Sequence, residues 1–181
     1  GASSGIGLGC AIAFAEKGAK VTLASRNMEA LSELHNYIKS NGWHSEILPL
    51  DITNVEQTST KILQHYPFDI LLNSAGQARH SPALDTTPSD FDAVMDINLR
   101  GAYFLTQAVA KNLVKNNKKG SLINISSQMA HVGGIERAAY CASKSAVEGF
   151  TKAMAIELGK YKIRINTICP TFILTPLTQA S

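Results

Sequence analysis

Residues 1–7 read Gly-Ala-Ser-Ser-Gly-Ile-Gly, and residues 5–17 continue with helical periodicity. The glycines stand at positions 1, 5 and 7, which does not match the spacing G-x-G-x-x-G, but a glycine loop that opens a helix has the same physical use. Backbone amides and the helix dipole favour a diphosphate there, and missing side chains let the phosphates approach the backbone. The alternative is a glycine-rich turn that only requires unusual backbone angles.

The rest of the chain alternates short apolar runs with longer segments of helical periodicity. We predict strands at residues 21–24, 46–50, 68–73, 121–126 and 163–168, and helices at 5–17, 28–40, 55–65, 90–116 and 140–161. Apolar strands joined by helices indicate right-handed parallel βαβ crossovers covered on both faces. The predicted fold class is therefore α/β, a doubly wound parallel sheet or Rossmann fold, in a single domain over residues 1–181.

The two ends of the sequence predict a partial domain. No strand-forming residues precede Gly1, although a glycine loop of this kind normally follows the central strand of its sheet. Ser181 comes soon after the strand predicted at 163–168, which leaves no room for helices that cover a substrate. We expect the first strand and a C-terminal substrate segment to be missing, and a fragment without activity of its own is one alternative.

Composition narrows the class of partner. The 17 Lys and Arg against 14 Asp and Glu give a net charge of +3 without a dense basic cluster, which predicts neither a nucleic-acid nor a membrane partner. The three cysteines form no CxxC pair, which argues against a disulfide framework and a zinc site and favours the cytoplasm. The histidines show no ligand spacing either, so we predict no metal.

Six short motifs follow one another along the whole chain. After the first loop come Asn-Ser-Ala-Gly at 73–76, Asn-Leu-Arg-Gly at 98–101, Asn-Ile-Ser-Ser at 124–127, Tyr-Cys-Ala-Ser-Lys at 140–144, and Arg-Ile-Asn at 164–166 leading to Pro170. In this order the motifs resemble those of the short-chain dehydrogenase/reductase family. Two departures are Ser74, where the family usually has a second asparagine, and Thr171, where it usually has glycine.

The resemblance implies an oxidoreductase that moves hydride between NADP(H) and a small carbonyl or alcohol substrate, with four catalytic residues: Asn98, Ser127, Tyr140 and Lys144. Tyr140 and Lys144 are four apart on a predicted helix and so share a face, where an ammonium favours the phenolate. Ser127 lies 13 residues before Tyr140, where the family places the serine that steadies the substrate oxygen.

Alternatives remain for each of these positions. Ser126 is interpreted as a strand-end or capping hydroxyl. By resemblance, Asn98 helps hold a water that links Lys144 to solvent, and the alternative is a plain asparagine on the helix surface. A Tyr-x-x-x-Lys pair alone is common on helix surfaces. A nucleotide-binding regulatory protein or inactive homologue is the alternative function.

Cofactor preference follows from the end of the second predicted strand. Ser25 takes the position where NAD-selective sites carry an acidic residue, and Arg26 beside it suits a 2′-phosphate, so NADP(H) is favoured over NAD(H). For Arg26 the alternative is a side chain that faces solvent without a partner. The resemblance implies that Asp51 and Ile52 contact adenine, and the alternative for Asp51 is a cap on the helix that starts near Asn54. The predicted cofactor residues are Gly1, Ser3, Ser4, Gly5, Ile6, Gly7, Ser25, Arg26, Asp51, Ile52, Asn73, Ala75, Gly76, Tyr140, Lys144, Ile173 and Thr175.

Two further features leave their interpretation open. The loop that contains His131, Glu136 and Arg137 either borders the substrate or carries solvated charges. The resemblance implies a homodimer or homotetramer when the protein is complete, and small residues offer surfaces for close helix approach, although packing within the chain is equally compatible with them: Gly101, Ala102, Ala108, Ala146 and Gly149.

Overall fold

The structure is a computed structural model that describes residues 1–179. Its elements, in chain order, are α1 Gly5–Glu16, β1 Val21–Ser25, α2 Met28–Ser40, β2 Ser45–Pro49, α3 Val55–Gln64, β3 Ile70–Asn73, α4 Pro88–Met95, a π-helical segment Asp96–Gly101, α5 Ala102–Lys115, β4 Gly120–Ile125, α6 Ala138–Leu158, β5 Ile163–Ile168 and α7 Pro176–Gln179. Short 3₁₀ turns span Gln128–Ala130 and Gly159–Tyr161. The predicted α/β class is confirmed, and every predicted strand is found close to its predicted bounds.

The chain forms two compact units. The first unit comprises Gly1–Asp51 and the segment that begins at Ile173, and the second unit comprises Ile52–Phe172. The strands pair in parallel throughout, as predicted, but in a two-stranded sheet, β1-β2, and a three-stranded sheet, β3-β4-β5. The predicted single sheet relied on a central strand before Gly1, which the printed sequence does not include.

In the first unit, α2 covers the β1-β2 pair with an apolar stripe. Leu31, Leu34 and Ile38 are buried at the spacing of successive helical turns and pack in one cluster with Leu23 of β1. The helix begins directly after Asn27, because the side chain of Asn27 caps its first turn by accepting a hydrogen bond from the amide of Ala30 at 3.1 Å.

In the second unit, β4 is the middle strand and pairs with both neighbours. Asn124 lies opposite Asn73 of β3, and Ile125 lies opposite Ile168 of β5. Because the strands are parallel, their carboxyl ends share one edge of the sheet, which is where open α/β sheets bind ligands. The residues that follow β3, β4 and β5 are therefore brought to a common edge.

The long helix predicted at residues 90–116 is three consecutive segments. α4 and α5 are separated by the π-helical segment Asp96–Gly101, which periodicity does not reveal because it amounts to one extra residue. Gly101 ends the segment where space is tightest: a Cβ there would lie 2.8 Å from Ile52 Cγ1 and 2.9 Å from the Ile52 carbonyl oxygen. For Gly101, packing within the chain is thus the function that the structure supports.

Among the described residues, no helix has both the length and the apolar character needed to cross a bilayer.

We expect Gly101→Ala to lower the free energy of unfolding by about 1–3 kcal/mol, because its methyl group overlaps the backbone and side chain of Ile52. Gly9→Ala is the matched control: Gly9 is in α1 with nothing within 4 Å of the added Cβ, and alanine there should stabilise by about 0.5–1 kcal/mol. Urea denaturation of both variants measures the difference. Equal stability of the two variants would contradict the close approach.

Candidate active site

Helix α6 brings Tyr140 and Lys144 together, one turn apart. The Nζ atom of Lys144 lies 5.7 Å from the centroid of the Tyr140 ring. Lys144 is only 5% exposed, and its ammonium donates a hydrogen bond to the carbonyl oxygen of Ile125 at 2.9 Å. The pair is therefore not an ordinary exposed pair on a helix surface, because the lysine is held inside the unit at the end of β4.

Ser127 is the serine that faces Tyr140. Its hydroxyl is close enough to Tyr140 to oppose the rise in the tyrosine pKa, and it accepts a hydrogen bond from the amide of Met129 at 3.1 Å. Ser126 turns to α6 instead, where its Oγ donates to the carbonyl oxygen of Lys144 at 3.4 Å. Ser126 therefore joins β4 to α6, whereas Ser127 lies beside Tyr140.

Asn98 is hydrogen-bonded to the backbone of the segment that follows β3. Its Oδ1 accepts from the amide of Gln77 at 2.9 Å, while its Nδ2 donates to the Gln77 carbonyl oxygen at 2.8 Å and to Ser143 Oγ at 3.1 Å. Asn98 is 1% exposed, so the alternative of a surface asparagine is wrong. The π-helical segment positions this amide, which joins residues after β3 to α6.

Asn73, which ends β3, and Gly76, which follows it, are packed against the sheet and the proposed site residues. A Cβ at Gly76 would be 3.3 Å from Asn98 Oδ1 and 3.6 Å from Lys144 Nζ, so glycine leaves room for these two side chains. The amide group of Asn73 donates to Asn124 Oδ1 at 3.1 Å and accepts from the amide of Ala75 at 3.2 Å. Asn73 therefore links β3 to β4.

Burial controls the protonation of this group. It raises the pKa of Tyr140 above 10.0, although the hydrogen bond from Ser127 and the positive charge of Arg137 act in the opposite direction. Burial also lowers the pKa of Lys144 from 10.5 to about 8, against the electrostatic influence of Cys169. At neutral pH the tyrosine therefore holds its proton and the lysine is mostly charged.

In the first unit, the glycine loop opens α1 without a side-chain cap. Ser4 is the N-cap residue, its side chain makes no capping hydrogen bond, and no acidic residue stands in the first turn. Gly5 has a positive φ of 53°, which favours glycine, and a Cβ there would be 3.3 Å from the Thr175 side chain, which leaves little room for a larger residue. The first-turn amides are thus left for an external anion.

The positions predicted to select the cofactor also lie in this unit. The Ser25 hydroxyl is buried and accepts a hydrogen bond from the amide of Asn27 at 3.0 Å, whereas Arg26 is exposed. Asp51 does not cap α3, because the capping side chain is Asn54, which accepts from the amide of Gln57 at 3.1 Å. Ile52, predicted to contact adenine, is buried against Gly101 in the second unit.

The remaining predicted cofactor residues lie at the far end of the described chain. Ile173 is 45% exposed, and its carbonyl oxygen accepts from Thr178 Oγ1 at 2.7 Å. The hydroxyl of Thr175 is 3.3 Å from the same Thr178 Oγ1.

In the loop before α6, the side chains of Arg137 and His131 contact other residues of the second unit. Arg137 lies 3.0 Å from His80 Nε2 and over the ring of Phe172 at 5.6 Å from its centroid. His131 Nε2 lies 3.5 Å from Cys169 Sγ. Glu136 is exposed and has a positive φ of 59°.

Sequence reasoning missed the surroundings of Cys169. The fold brings His131, Glu148 and Cys169 together, with one ligand-type atom from each within 4.8 Å of the others. The prediction of no metal rested on spacing along the chain, and these residues are 17 and 21 positions apart, so no local pattern could have identified them.

The whole chain is similar to known oxidoreductases. The family described as short chain dehydrogenase matches residues 1–181. L-xylulose reductase from Homo sapiens is 34% identical over 181 residues, which cover 100% of this chain and 72% of the relative. Carbonyl reductase (NADPH) 2 from Sus scrofa is 35% identical over 180 residues, covering 99% of this chain and 72% of the relative.

A solved structure agrees with these relatives. The gluconate 5-dehydrogenase from Burkholderia cenocepacia, in complex with NADP and tartrate, superimposes with a TM-score of 0.94 at 32% sequence identity, covering 99% of this chain and 72% of that one.

The lowered pKa of Lys144 predicts a stability that depends on pH. Between about pH 8 and 10.5 the unfolded chain holds a proton that the folded chain has released, so the free energy of unfolding should rise with pH by up to about 3 kcal/mol from this residue. The stability difference between wild type and Lys144→Met, measured by urea denaturation across this window, isolates the effect.

Lys152→Met, an exposed position of the same helix, is the control and should show no such rise. A wild-type minus Lys144→Met difference that stays constant between pH 8 and 10.5 would refute the burial effect.

Proposed function

The chain belongs to the short-chain dehydrogenase family, and we propose that it is an NADP(H)-dependent oxidoreductase acting on a carbonyl or alcohol through Ser127, Tyr140 and Lys144, with Asn98 in support. The observation that carries the proposal is the convergence of these groups: Lys144 Nζ lies 5.7 Å from the centroid of the Tyr140 ring, and the Ser127 hydroxyl is close enough to Tyr140 to oppose the rise in its pKa. The family consists of oxidoreductases, which supports the reaction class.

Tyr140 acts as the general acid of the reduction. A bound nicotinamide supplies the hydride in reduction and accepts it in oxidation. The raised pKa of Tyr140 keeps its proton in place at neutral pH, ready for the carbonyl oxygen of a substrate. In oxidation the same group acts as the base, after it has lost its proton.

Ser127 and Lys144 assist the same proton transfer. The amide of Met129 fixes the Ser127 hydroxyl oxygen, and the hydroxyl proton turns from Tyr140 to the developing alkoxide as the charge appears. The ammonium of Lys144 stabilises the phenolate that Tyr140 becomes. Asn98 holds the backbone of Gln77 and the side chain of Ser143, which keeps α6 in register with the residues after β3.

Each unit contains groups that suit part of a dinucleotide. In the second unit, the Lys144 ammonium donates one hydrogen bond to the Ile125 carbonyl oxygen and has further donors for a ribose hydroxyl. In the first unit, the uncapped N-terminus of α1 suits the diphosphate, and Arg26 beside the uncharged Ser25 suits a 2′-phosphate. A relative named for NADPH and a neighbour with bound NADP support this preference.

Assembly and location complete the proposal. Helix α6 exposes Gly149, with open space around it, and Ile156, which is 84% exposed, and we assign this face to a homodimer or homotetramer. Ala102 and Ala108 are instead buried within the second unit. The three cysteines are free, which is compatible with the reducing cytoplasm.

We expect Tyr140→Phe to lower the turnover of carbonyl reduction by about 100- to 10,000-fold, because the proton donor is lost while the ring still fills its place. Tyr161→Phe, a 44% exposed tyrosine, is the control and should leave turnover unchanged. NADPH oxidation by the whole protein that carries this chain, against a panel of sugars including L-xylulose, ketones, quinones and acyl thioesters, measures the loss. Cofactor binding without turnover on any substrate would support the regulatory alternative.

A second prediction separates the two cofactors. Arg26→Ala should weaken NADPH binding by about 10- to 100-fold and leave NADH binding unchanged, because only the former has a 2′-phosphate for the guanidinium. Arg164→Ala, an exposed arginine of β5, is the control for charge. Fluorescence titration of both cofactors gives the dissociation constants. Equal losses for NADPH and NADH would assign Arg26 a role other than selection.

A further inference from the structure

The second unit gathers three side chains of the kinds that bind transition metals, outside the proposed reacting group. His131 Nε2 lies 3.5 Å from Cys169 Sγ, and this sulfur lies 3.3 Å from Glu148 Oε1. Each residue comes from a different segment: the turn after β4, helix α6 and the end of β5. An imidazole, a thiol and a carboxylate thus face one another across a single small space.

Two of the three distances between ligand atoms match those of a tetrahedral metal site. Zinc binds sulfur at about 2.3 Å and nitrogen or oxygen at about 2.0–2.2 Å, which puts neighbouring ligand atoms about 3.4–3.6 Å apart. The distances from Cys169 to its two neighbours, 3.5 Å and 3.3 Å, are already within a few tenths of an ångström of this value. The third pair, from His131 and Glu148, lies within 4.8 Å, so the exposed His131 side chain must move closer to Glu148 for the cluster to surround an ion.

The carboxylate is oriented from outside the cluster. Glu148 is 9% exposed, and its second oxygen, Oε2, accepts a hydrogen bond from Thr167 Oγ1 at 3.0 Å, which leaves Oε1 directed at Cys169. Metal-ligating carboxylates are commonly fixed by an outer hydrogen bond of this kind. His131 is exposed and gives an ion access from solvent.

We propose that His131, Glu148 and Cys169 form a binding site for Zn²⁺ or a similar borderline divalent cation. Thiolate and imidazole ligands select such ions over Mg²⁺ and Ca²⁺, which require oxygen ligands. On binding, the Cys169 thiol releases its proton to solvent, and a metal–sulfur bond replaces the hydrogen bond to Glu148. The thiolate and the carboxylate balance the ion's two positive charges, three protein ligands leave a fourth position open, and no atom changes oxidation state.

A bound ion cross-links three segments of the second unit. His131 follows Ser127 by four residues, Glu148 follows Lys144 by four, and Cys169 immediately precedes Pro170. The site is independent of the proposed hydride transfer, but it fixes the same segments. Zinc should therefore raise the thermal midpoint of the whole protein by several degrees, and this rise should be absent in His131→Gln.

The direct test uses the whole protein after treatment with a chelator. Zinc is titrated in competition with a chromophoric chelator, and cobalt is used as a spectroscopic probe, because a thiolate ligand gives Co²⁺ a charge-transfer band. We expect one ion per chain, and at least a ~10-fold weaker affinity in Cys169→Ser, His131→Gln and Glu148→Gln, since even outer partners of a metal site contribute 10- to 100-fold. Cys10→Ser and His44→Gln, which replace a cysteine and a histidine of the first unit, should bind as wild type does.

The competing interpretation is a hydrogen-bonded cluster that binds no ion. Absence of zinc binding by the wild type, unchanged affinity in His131→Gln, or a cobalt complex without the thiolate band would each overturn the proposal. His131 is exposed, so its replacement should preserve the fold even if Cys169→Ser fails to fold. In that case the His131→Gln affinity and the wild-type cobalt spectrum decide the outcome.

Discussion

The hydrogen bond from Lys144 to the carbonyl of Ile125 is the constraint on which the proposed active site depends. An ammonium that is 5% exposed is unfavourable unless it is paired, and its partner is the last carbonyl of the middle strand. This contact fixes α6 against the end of β4. Because Ser127 follows that carbonyl by two residues and Tyr140 precedes Lys144 by one helical turn, the same contact sets where their hydroxyls meet.

Buried amides and hydroxyls supply most of the remaining order around this point. Asn98 connects the chain after β3 to Ser143, and Asn73 connects β3 to Asn124 of β4. Thr106 of α5 donates to the same Asn124 oxygen at 3.3 Å. A buried polar group is costly unless it is paired, so such contacts favour one arrangement of helices and strands over slightly shifted ones. These buried hydrogen bonds therefore fix the positions of the side chains that proton transfer needs.

Local patterns in the sequence were sufficient for most elements and for part of the site. The helix at 28–40 and the strand at 163–168 were predicted with their observed bounds, because each has a clear period and a clear start. For the site, the family resemblance placed a serine 13 residues before Tyr140, and the catalytic role of Ser127 stays a prediction. The contacts that the sequence did not predict join residues far apart in the chain. The partner of Asn73 lies 51 residues away, and the neighbours of Cys169 come from two other segments. Pairwise proximity of this kind depends on the register of the sheet.

The π-helical segment changes the angular relation between the two helices it joins. One additional residue advances the direction of every later side chain by about 100° around the axis. Phe91 and Val94 of α4 therefore need not share a stripe with Leu105 and Val109 of α5, although all four belong to one continuous helical rod. The extra residue therefore rotates α5 about the helix axis, so that α5 faces the three-stranded sheet while the Asn98 side chain points to the loop after β3.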